Sequence, residues 1–461
     1  MLLKPQFYLF KILFFFIFFL VLSCDKDTGF VTISGVEDEQ SENSGIEPED
    51  KLPQIIINTN GGIIIDEPKI SAAINISHAG EVSYTGNIGI EIRGASSQMF
   101  PKKSYGIETW DENNSDINVS LLGLPAEEDW ILYAPYSDKS LLRNVLNYDL
   151  SRDLGRYASR TVFVELTLNN QYQGVYVFME KLKRNSERIA IDKLNFDENS
   201  GEDVTGGYIL KIDKTSGSNI GNGYNELNSF PSKSGQNIFF LYEYPDAEII
   251  TTDQKAYISS YVTDFEAALA SDNFTDANLG YASFIDIPSF IDFFLLNELS
   301  NNVDGYRIST YMHKDRSGKL KMGPIWDFNL AFGNADYCSG GETNVWAYKF
   351  SERCPSDNLL VPFWWDRLLQ DPYFVAQLKE RWETLRGGVF SENSIIAKID
   401  NYNNILEKAG AIDANFKTWD VLGAYVWPNY YVGATYNEEI DYLNDWVRNR
   451  LTWMDDAIDS L

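Results

Sequence analysis

The chain changes character near residue 252, and this change constrains the fold more than any other feature. Strand patterns dominate before that point, and Ile88–Arg93 alternates apolar and other residues with a period of two. Helical spacing dominates after it, and the apolar positions of residues 440–458 recur every three or four residues. This order predicts an α+β fold with a β-rich lobe over residues 53–252, a helical lobe over residues 253–461 and room for a cleft between them.

Local patterns place several elements within the first half. Ile55–Ile57 and Ile63–Ile65 flank an Asn-Gly-Gly turn and predict two paired strands. Residues 162–168 and 172–179 predict a hairpin, and residues 139–157 have the spacing of a helix. We therefore expect sheet structure to surround an early helix.

The first residues resemble an export signal. Lys4 and Lys11 stand beside eleven apolar residues, from Ile12 to Leu22, a run too short for the roughly 20 that span a bilayer. The run ends in Val-Leu-Ser-Cys24, which resembles a bacterial lipoprotein box. We expect residues 1–23 to be a lipoprotein signal peptide and Cys24 to be lipidated. An ordinary signal peptide with a chance cysteine is the alternative.

An acidic stretch follows the signal. Seven Asp and Glu residues lie between Glu37 and Asp50, separated by Ser, Asn, Gly and Pro. Such a composition buries too little apolar area to order itself, so we expect residues 24–52 to be a flexible tether. The folded part is then residues 53–461. A lipid at Cys24 would attach it to the bacterial cell envelope, at the outer membrane or the cell surface, with the lipid as its one membrane contact.

Charge and rare residues exclude several classes of function. The chain has 38 Lys and Arg against 67 Asp and Glu, a net charge of −29, which argues against a nucleic-acid partner. His78 and His313 are the two histidines, and neither lies in a recognisable nucleophile motif. With three cysteines in the chain, a zinc site built on His and Cys is disfavoured. Metal chemistry here would use carboxylates and amides, which suit Mg²⁺, Mn²⁺ or Ca²⁺.

Residues 286–333 carry the most chemical information. Asp286-Ile287-Pro288 predicts a helix start, and Asn301-Asn302 predicts its end. Strands over residues 306–313 and 319–326 would then form a hairpin around a turn at residues 314–318.

Two carboxylates bracket this hairpin. Asp304 and Asp327 are equidistant from the centre of the predicted turn, so a regular antiparallel ladder would place them opposite each other, about 5 Å apart. Such a pair suits a divalent metal, or a base beside a metal. The alternative is that both residues cap turns, as Asp often does.

The same segment belongs to a set of short motifs along the chain: Arg93-Gly-Ala-Ser-Ser97, Pro101-Lys-Lys-Ser-Tyr105, Trp130-Ile-Leu132, Leu141-Leu-Arg-Asn144, Gly174-Val-Tyr176 with Glu180, Asn302-Val-Asp-Gly-Tyr306, and Gly323-Pro-Ile-Trp-Asp-Phe-Asn329. In sequence and in order, these motifs resemble the spore-coat protein H (CotH) kinase-like family. The resemblance covers roughly residues 53–335, and the tail around Trp364-Trp365 and Arg450–Asp455 is also similar. It implies an atypical protein-kinase-like fold that binds ATP and Mg²⁺ or Mn²⁺.

The resemblance also implies roles for individual residues. Asp304 matches the catalytic base and Asp327 the metal ligand, with Asn329 beside it where many members have a second Asp. Ser309 stands five residues after Asp304, where ordinary kinases have a metal-binding Asn. The expected phosphate-binding cations are Arg93, Lys102, Lys103 and Lys211. Glu180 is the acid expected to pair with one of these lysines. Cys338 and Cys354 share a loop region, and we expect a disulfide between them outside the cytoplasm.

Two functions of different classes follow. The first is a phosphotransferase that modifies Ser or Thr of a secreted or surface protein with ATP and a divalent metal. The second is a surface lipoprotein that has lost catalysis and uses the kinase-like scaffold for adhesion or for binding protein or glycan. The pair of Asp304 and Asp327 favours the first; Asn329, Ser309 and the scarcity of ATP outside the cytoplasm favour the second.

Overall fold

The computed structural model describes residues 48–215 and 223–461. All of these residues belong to one structural unit. The predicted signal peptide, Cys24 and most of the predicted tether lie outside the described residues. None of the helices in the described ranges combines the length and the apolar character that crossing a bilayer requires.

The first part of the fold is a closed barrel of seven strands. Its strands are β1 Gln54–Asn58, β2 Ile70–His78, β3 Glu81–Arg93, β4 Ser104–Trp110, β5 Asp129–Tyr133, β6 Thr161–Leu168 and β7 Gln171–Glu180. Their order is β1-β2-β3-β4-β5-β7-β6, and a parallel pairing of β1 with β6 closes the barrel. Alternate isoleucines such as Ile57, Ile74 and Ile90 fill its interior, so the period-two pattern reflects burial of one face.

One predicted hairpin is wrong. Residues 63–65 form no strand, and β1 pairs antiparallel with β2 instead. Ile63 is 82% exposed, whereas Ile55 and Ile57 are fully buried. Three consecutive isoleucines thus do not identify a strand unless the barrel offers them a buried face. The predicted hairpin of residues 162–168 and 172–179 is confirmed as β6 and β7.

A second sheet joins distant parts of the chain. Its strands are β8 Tyr208–Ile212, β9 Ser229–Pro231, β10 Phe239–Tyr244, β11 Thr310–Lys314 and β12 Leu320–Met322, in the order β12-β11-β8-β10-β9. Because β11 pairs with β8, this sheet takes strands from both sides of residue 252. The α+β class is confirmed, but the strands do not separate into lobes at that residue.

Helices of the described residues pack around the second sheet and beside the barrel. They are α1 Arg143–Asp153, α2 Thr252–Ala270, α3 Ile287–Ser300, α4 Phe350–Arg353, α5 Trp364–Leu368, α6 Pro372–Arg386, α7 Glu392–Lys408, α8 Ala411–Thr418 and α9 Tyr436–Asp459. One hydrophobic core includes residues of α1, the second sheet and most of these helices, among them Trp364 and Trp365.

Helix α3 is the buried axis of this core, and its predicted ends are confirmed. The Asp286 carboxylate accepts a hydrogen bond from the Ser289 N–H, and Pro288 lies in the first turn. Asn301 ends the helix in a left-handed conformation, with φ at 43°. The backbone therefore turns sharply just before Asp304.

A buried ion pair ties α3 to the last helix. The Arg450 guanidinium of α9 lies 3.4 Å from the Glu298 carboxylate of α3, and both side chains are fully buried. Glu298 also accepts hydrogen bonds from the backbone N–H groups of Ala347 and Tyr348. This pair holds the C-terminal end of α3, from which the segment of Asp304 emerges.

Candidate active site

A cavity of about 590 Å³ lies where the barrel, the second sheet and the segment after α3 meet. The barrel contributes the loop after β3, which begins with Gly94 at φ +105°, where a Cβ atom would collide with the Ser97 side chain. The second sheet contributes the ends of β8 and β10, and residues 304–330 form much of the remaining wall. The volume is within the usual range for small-molecule sites.

Asp304 lies in this cavity and is held by its neighbours. The Arg307 guanidinium donates a hydrogen bond to its carboxylate over 3.0 Å, and the Tyr337 hydroxyl lies 3.5 Å from the same oxygen. The Asn302 side chain accepts from the Asp304 N–H. Arg307 also pairs with Asp357 at 3.1 Å, so its charge is shared between two acids.

Asp327 lies in the same cavity, and helix α1 fixes the backbone around it. The Tyr148 hydroxyl accepts from the Asp327 N–H at 3.1 Å, and the Asn144 side chain accepts from the Phe328 N–H at 2.6 Å. Asp327 itself adopts a left-handed conformation, with φ at 63°. A residue held in this sparsely populated region by surrounding contacts is typical of functional sites.

The two acids converge, but not through the predicted ladder. The observed pairs run from Lys314–Leu320 to Met312–Met322, so the hairpin is centred on Ser317 and shifted by three residues from the expected register. A continued ladder would place Asp327 opposite Arg307. The ladder stops instead at Gly323-Pro324, because proline has no N–H to donate. An irregular segment then carries Asp327 into the cavity.

The carboxylates of the cavity repel one another. Burial, followed by the charges of Asp304 and Asp213, raises the pKa of Asp327 to about 7. Burial also raises the pKa of Asp213, although Lys211 opposes this shift and the backbone N–H of Lys214 donates to its carboxylate at 2.8 Å. The charges of Asp304 and Asp213 thus oppose ionisation of Asp327, and a positive charge bound beside Asp327 would relieve this repulsion.

Asn329 supplies a further ligand atom. It lines the cavity, and its buried side-chain oxygen has no hydrogen-bond partner within the described ranges. A buried amide oxygen left without a donor costs free energy, and a hard cation would satisfy it. Carboxylates together with an amide oxygen match the ligand preference of Mg²⁺ and Mn²⁺. These residues therefore fit a divalent metal.

Several cations also line the cavity. Arg93 lies over the Trp326 ring, with 5.6 Å from its guanidinium carbon to the ring centre. Lys211 pairs with Glu243 at 2.8 Å, and this carboxylate outweighs the effect of burial and raises the pKa of Lys211. Lys214 and Lys181 also line the cavity. Arg93 and Lys211, two of the cations that the sequence proposed for phosphate binding, thus line the cavity.

Lys102 and Lys103 do not line the cavity. The Lys102 ammonium is buried and donates to the Val175 carbonyl and the Asn415 side chain, so it fixes α8 against the barrel. Burial lowers the pKa of Lys102 well below its usual range. Lys103 donates to the Gln98 carbonyl. Both lysines occur in a motif for which phosphate binding was expected, but strand β4, which begins directly after them, holds them outside the cavity.

Glu180 does not pair with a lysine. Its carboxylate accepts from Arg160 at 2.6 Å and from the Tyr157 hydroxyl at 3.1 Å, outside the cavity. The acid that pairs with a lysine in the cavity is Glu243, which the sequence reasoning missed. Glu243 interrupts the otherwise apolar and aromatic run of β10, and this interruption was the available signal.

Asp213 was also missed. It stands two residues after Lys211 at the end of β8, and both side chains line the cavity because alternate residues of an extended chain share a face. Two charged residues spaced in this way on a buried strand were the available signal. Arg307, three residues after Asp304, could have been inferred from spacing alone.

A second group of acids has metal-like spacing but already holds a cation. Glu127, Glu128 and Asp129 place one carboxylate oxygen each within 4.8 Å of the others. The Lys183 ammonium lies 3.2, 2.7 and 2.9 Å from their three carboxylates. We call these residues the lysine-filled triad. A protein cation already contacts all three of its carboxylates, whereas Asp327 of the cavity forms no ion pair with any described residue.

Cys338 and Cys354 form a disulfide, with 5.5 Å between their Cα atoms. Cys338 follows Tyr337, which contacts Asp304, and Cys354 precedes the loop of Asp357, which pairs with Arg307. The bond therefore joins the two loops that support Asp304.

Comparison with known proteins agrees with this geometry. A search of curated proteins found no significant match. The family model described as CotH kinase protein matches residues 90–454, which include every residue of the cavity wall. Because this match spans most of the chain, the protein belongs to the CotH kinase protein family.

Proposed function

We propose that the chain is an ATP- and divalent-metal-dependent phosphotransferase that acts on a Ser or Thr hydroxyl of a secreted or surface protein. Membership of a kinase-like family supports the reaction class. The observation that carries the proposal is the meeting of Asp304, Asp327 and the partnerless oxygen of Asn329 in one cavity.

Asp304 is the proposed base. Its carboxylate would accept the proton of the acceptor hydroxyl as that oxygen bonds to the γ-phosphorus and the bond to ADP breaks. Arg307 and Tyr337 hold the carboxylate in place. ADP is the leaving group, and the proton on Asp304 is then released to solvent.

Asp327 and Asn329 are the proposed metal ligands, and Asp213 lies near enough to repel Asp327. A divalent metal, when bound there, would offset the negative charge of the phosphates. Arg93 and Lys211 line the same cavity and would contact phosphate oxygens. The Lys211–Glu243 pair resembles the lysine–glutamate pair that orients phosphates in protein kinases.

We also propose that the protein works outside the cytoplasm, in the bacterial cell envelope, through a lipid on Cys24. The Cys338–Cys354 disulfide supports this location, because disulfides persist in oxidising compartments. The acidic net charge of −29 supports a protein acceptor over a nucleic acid.

Transfer of labelled phosphate from ATP tests the proposal. Protein purified from bacteria that express the full chain would be incubated with ATP and Mg²⁺ or Mn²⁺, alone and with secreted proteins from the same cells. We expect labelling by the wild type and by Asp264→Asn, an exposed control on α2, but not by Asp304→Asn. Equal labelling by wild type and Asp304→Asn, or none by the wild type, would contradict the proposal and favour the adhesion or binding scaffold.

A further inference from the structure

A second cavity, of about 300 Å³, lies behind the wall that carries Asp327. It is lined by the end of α1, the segment of residues 155–157, part of α3, and residues 321–325. Its lining includes Gly323, Pro324 and Ile325, while the next two residues, Trp326 and Asp327, line the main cavity. No lining residue is common to the two cavities, so a ligand in one does not occupy the other.

The charge of this second cavity is positive. Arg156, Arg188 and Lys321 line it, and none of its lining residues in the described chain is an Asp or Glu. This concentration of cations is unusual in a chain whose net charge is −29. Clefts lined by one sign of charge attract ligands of the opposite sign.

Nearby acids do not fully neutralise these cations. Asp292 accepts from Arg156 at 2.7 Å and from Arg381 at 2.8 Å, so one carboxylate offsets two guanidinium groups. Lys321 forms no ion pair with any residue in the described ranges. Arg188 pairs with Glu127 at 3.2 Å and lies 3.8 Å from Glu180, so the excess positive charge of the cavity comes from Lys321 and from the guanidinium groups that share Asp292.

Arg188 adds an independent sign of a missing partner. It is 3% exposed, and one of its terminal nitrogens, Nη2, has no hydrogen-bond partner within the described ranges. Its other terminal nitrogen donates to the carbonyls of Asp129 and Lys181. A buried guanidinium nitrogen without an acceptor is costly, and an anionic oxygen would satisfy it.

His313 lies on the same wall. Its Nδ1 donates to the Gly323 carbonyl at 3.0 Å, which leaves Nε2 as an acceptor in the neutral ring. Burial, with the charges of Lys321 and Arg156, lowers the pKa of His313 to about 4, although Gly323 and Asp315 oppose this shift. The two cations therefore lie close enough to act on one imidazole.

The rest of the lining is apolar. Phe293 and Leu296 of α3, Met322, Pro324 and Ile325 face the space beside the cations. A ligand that fits both halves carries an oxyanion at one end and a small apolar group at the other. An inorganic ion alone would leave this apolar surface uncovered.

We propose that the second cavity binds a small organic oxyanion, a phosphate monoester or a carboxylate with a short apolar body. Arg156 and Lys321 hold the anionic group, and the α3 side chains contact the apolar part. This site is separate from the proposed nucleotide and metal site, and its existence does not depend on the phosphotransferase proposal.

Calorimetric titration of the metal-free protein tests the proposal. Phenyl phosphate and benzoate are the two anionic probes, and benzyl alcohol is the neutral probe of the same shape. We expect at least one anion to bind and benzyl alcohol not to bind. The anion that binds more tightly identifies the ligand as a phosphate monoester or a carboxylate.

Matched variants locate the binding. Lys321→Gln is expected to weaken binding of the anion about tenfold, the loss of one charge-assisted contact. Lys319→Gln, an exposed lysine two residues earlier, is expected to leave it unchanged. Absence of binding by both anions, equal binding of benzyl alcohol, or unchanged affinity in Lys321→Gln would each overturn the proposal. Because no phosphoryl transfer is measured, failure here is distinguishable from failure of the proposed function.

Discussion

The lysine-filled triad and the carboxylates of the main cavity are two acidic clusters that differ in how the protein compensates their negative charge. In the triad, burial opposes ionisation of Asp129, but the charges of Lys181 and Lys183 outweigh it and lower its pKa to about 2. In the cavity, burial and neighbouring acids raise the pKa of Asp327 to about 7. Closeness of carboxylates therefore does not identify a metal site. The informative feature is whether the protein supplies the balancing cation.

The largest expected difference between the clusters is in catalysis. Asp327→Asn is expected to lower phosphoryl transfer about 10³-fold, or about 4 kcal/mol, because it removes a charged metal ligand. Glu127→Gln, in the lysine-filled triad, is expected to retain transfer within about twofold. Rates of ATP-dependent labelling measure both. Similar losses of phosphoryl transfer in Asp327→Asn and Glu127→Gln would show that the two acidic clusters do not differ in their role in catalysis.

The pH dependence of stability has opposite signs for Asp327 of the main cavity and Asp129 of the lysine-filled triad. A group whose pKa is raised on folding binds more protons in the folded state, so Asp327 makes the metal-free protein less stable as pH rises from about 4 to about 7. Asp129 has a lowered pKa, so its stabilisation is lost as pH falls from about 4 to about 2.

Urea unfolding in EDTA at pH 5 and pH 8 measures the contribution of Asp327. We expect Asp327→Asn to exceed the wild type in free energy of unfolding by about 3 kcal/mol at pH 8, and by less at pH 5. Burial and its hydrogen bond with Glu128 raise the pKa of Glu127 to about 7, but this contribution is common to both proteins. If the free energies of unfolding of Asp327→Asn and the wild type differed by the same amount at pH 5 and pH 8, the raised pKa of Asp327 would be contradicted.

Removing the Lys183 ammonium should turn the lysine-filled triad into a cluster of carboxylates that can bind an added metal cation. Lys183→Met is expected to lower the free energy of unfolding by about 2 kcal/mol, because three carboxylates lose their partner. Added Ca²⁺ should recover part of this loss in the variant and give no such gain at the triad of the wild type. Thermal unfolding with and without Ca²⁺ measures both effects. The control Lys193→Met removes an exposed lysine and should behave as the wild type.

The smallest expected effect concerns the strength of the cavity's metal site. Asn329→Asp replaces a neutral ligand oxygen by a charged one and is expected to tighten Mn²⁺ binding about tenfold, or about 1.4 kcal/mol. Titration calorimetry with Mn²⁺ measures this change. Unchanged affinity would indicate that the Asn329 oxygen is not a ligand.

Local features of the sequence were sufficient for individual elements. The ends of α3 followed from Asp286, Pro288 and Asn301, because capping depends on hydrogen bonds within a few residues. The residues of the candidate base and metal ligand, Asp304 and Asp327, came from motif resemblance, and the match to the family model agrees with it.

Contacts between residues far apart in the chain could not be predicted from local features of the sequence. The isoleucines at 63–65 have strand composition, but the barrel pairs β1 with β2 and leaves them outside. Lys102 has the motif of a phosphate-binding residue, but its partners are Val175 and Asn415, far along the chain. Glu243 and Asp213 enter the cavity because β8 joins β10 to β11, and no local pattern specifies that order.

The sequence by itself determined individual elements such as α3 and the β6–β7 hairpin, the family of the chain and the two acids of the hairpin segment, since these depend on neighbouring residues and motifs. The tertiary structure alone decided which charges meet. Burial and distance set the free energy of each carboxylate, and both are properties of contacts between residues far apart in the chain. Those contacts pair Lys183 with the carboxylates of one acidic cluster and leave Asp327, in the other, without an ion pair among the described residues.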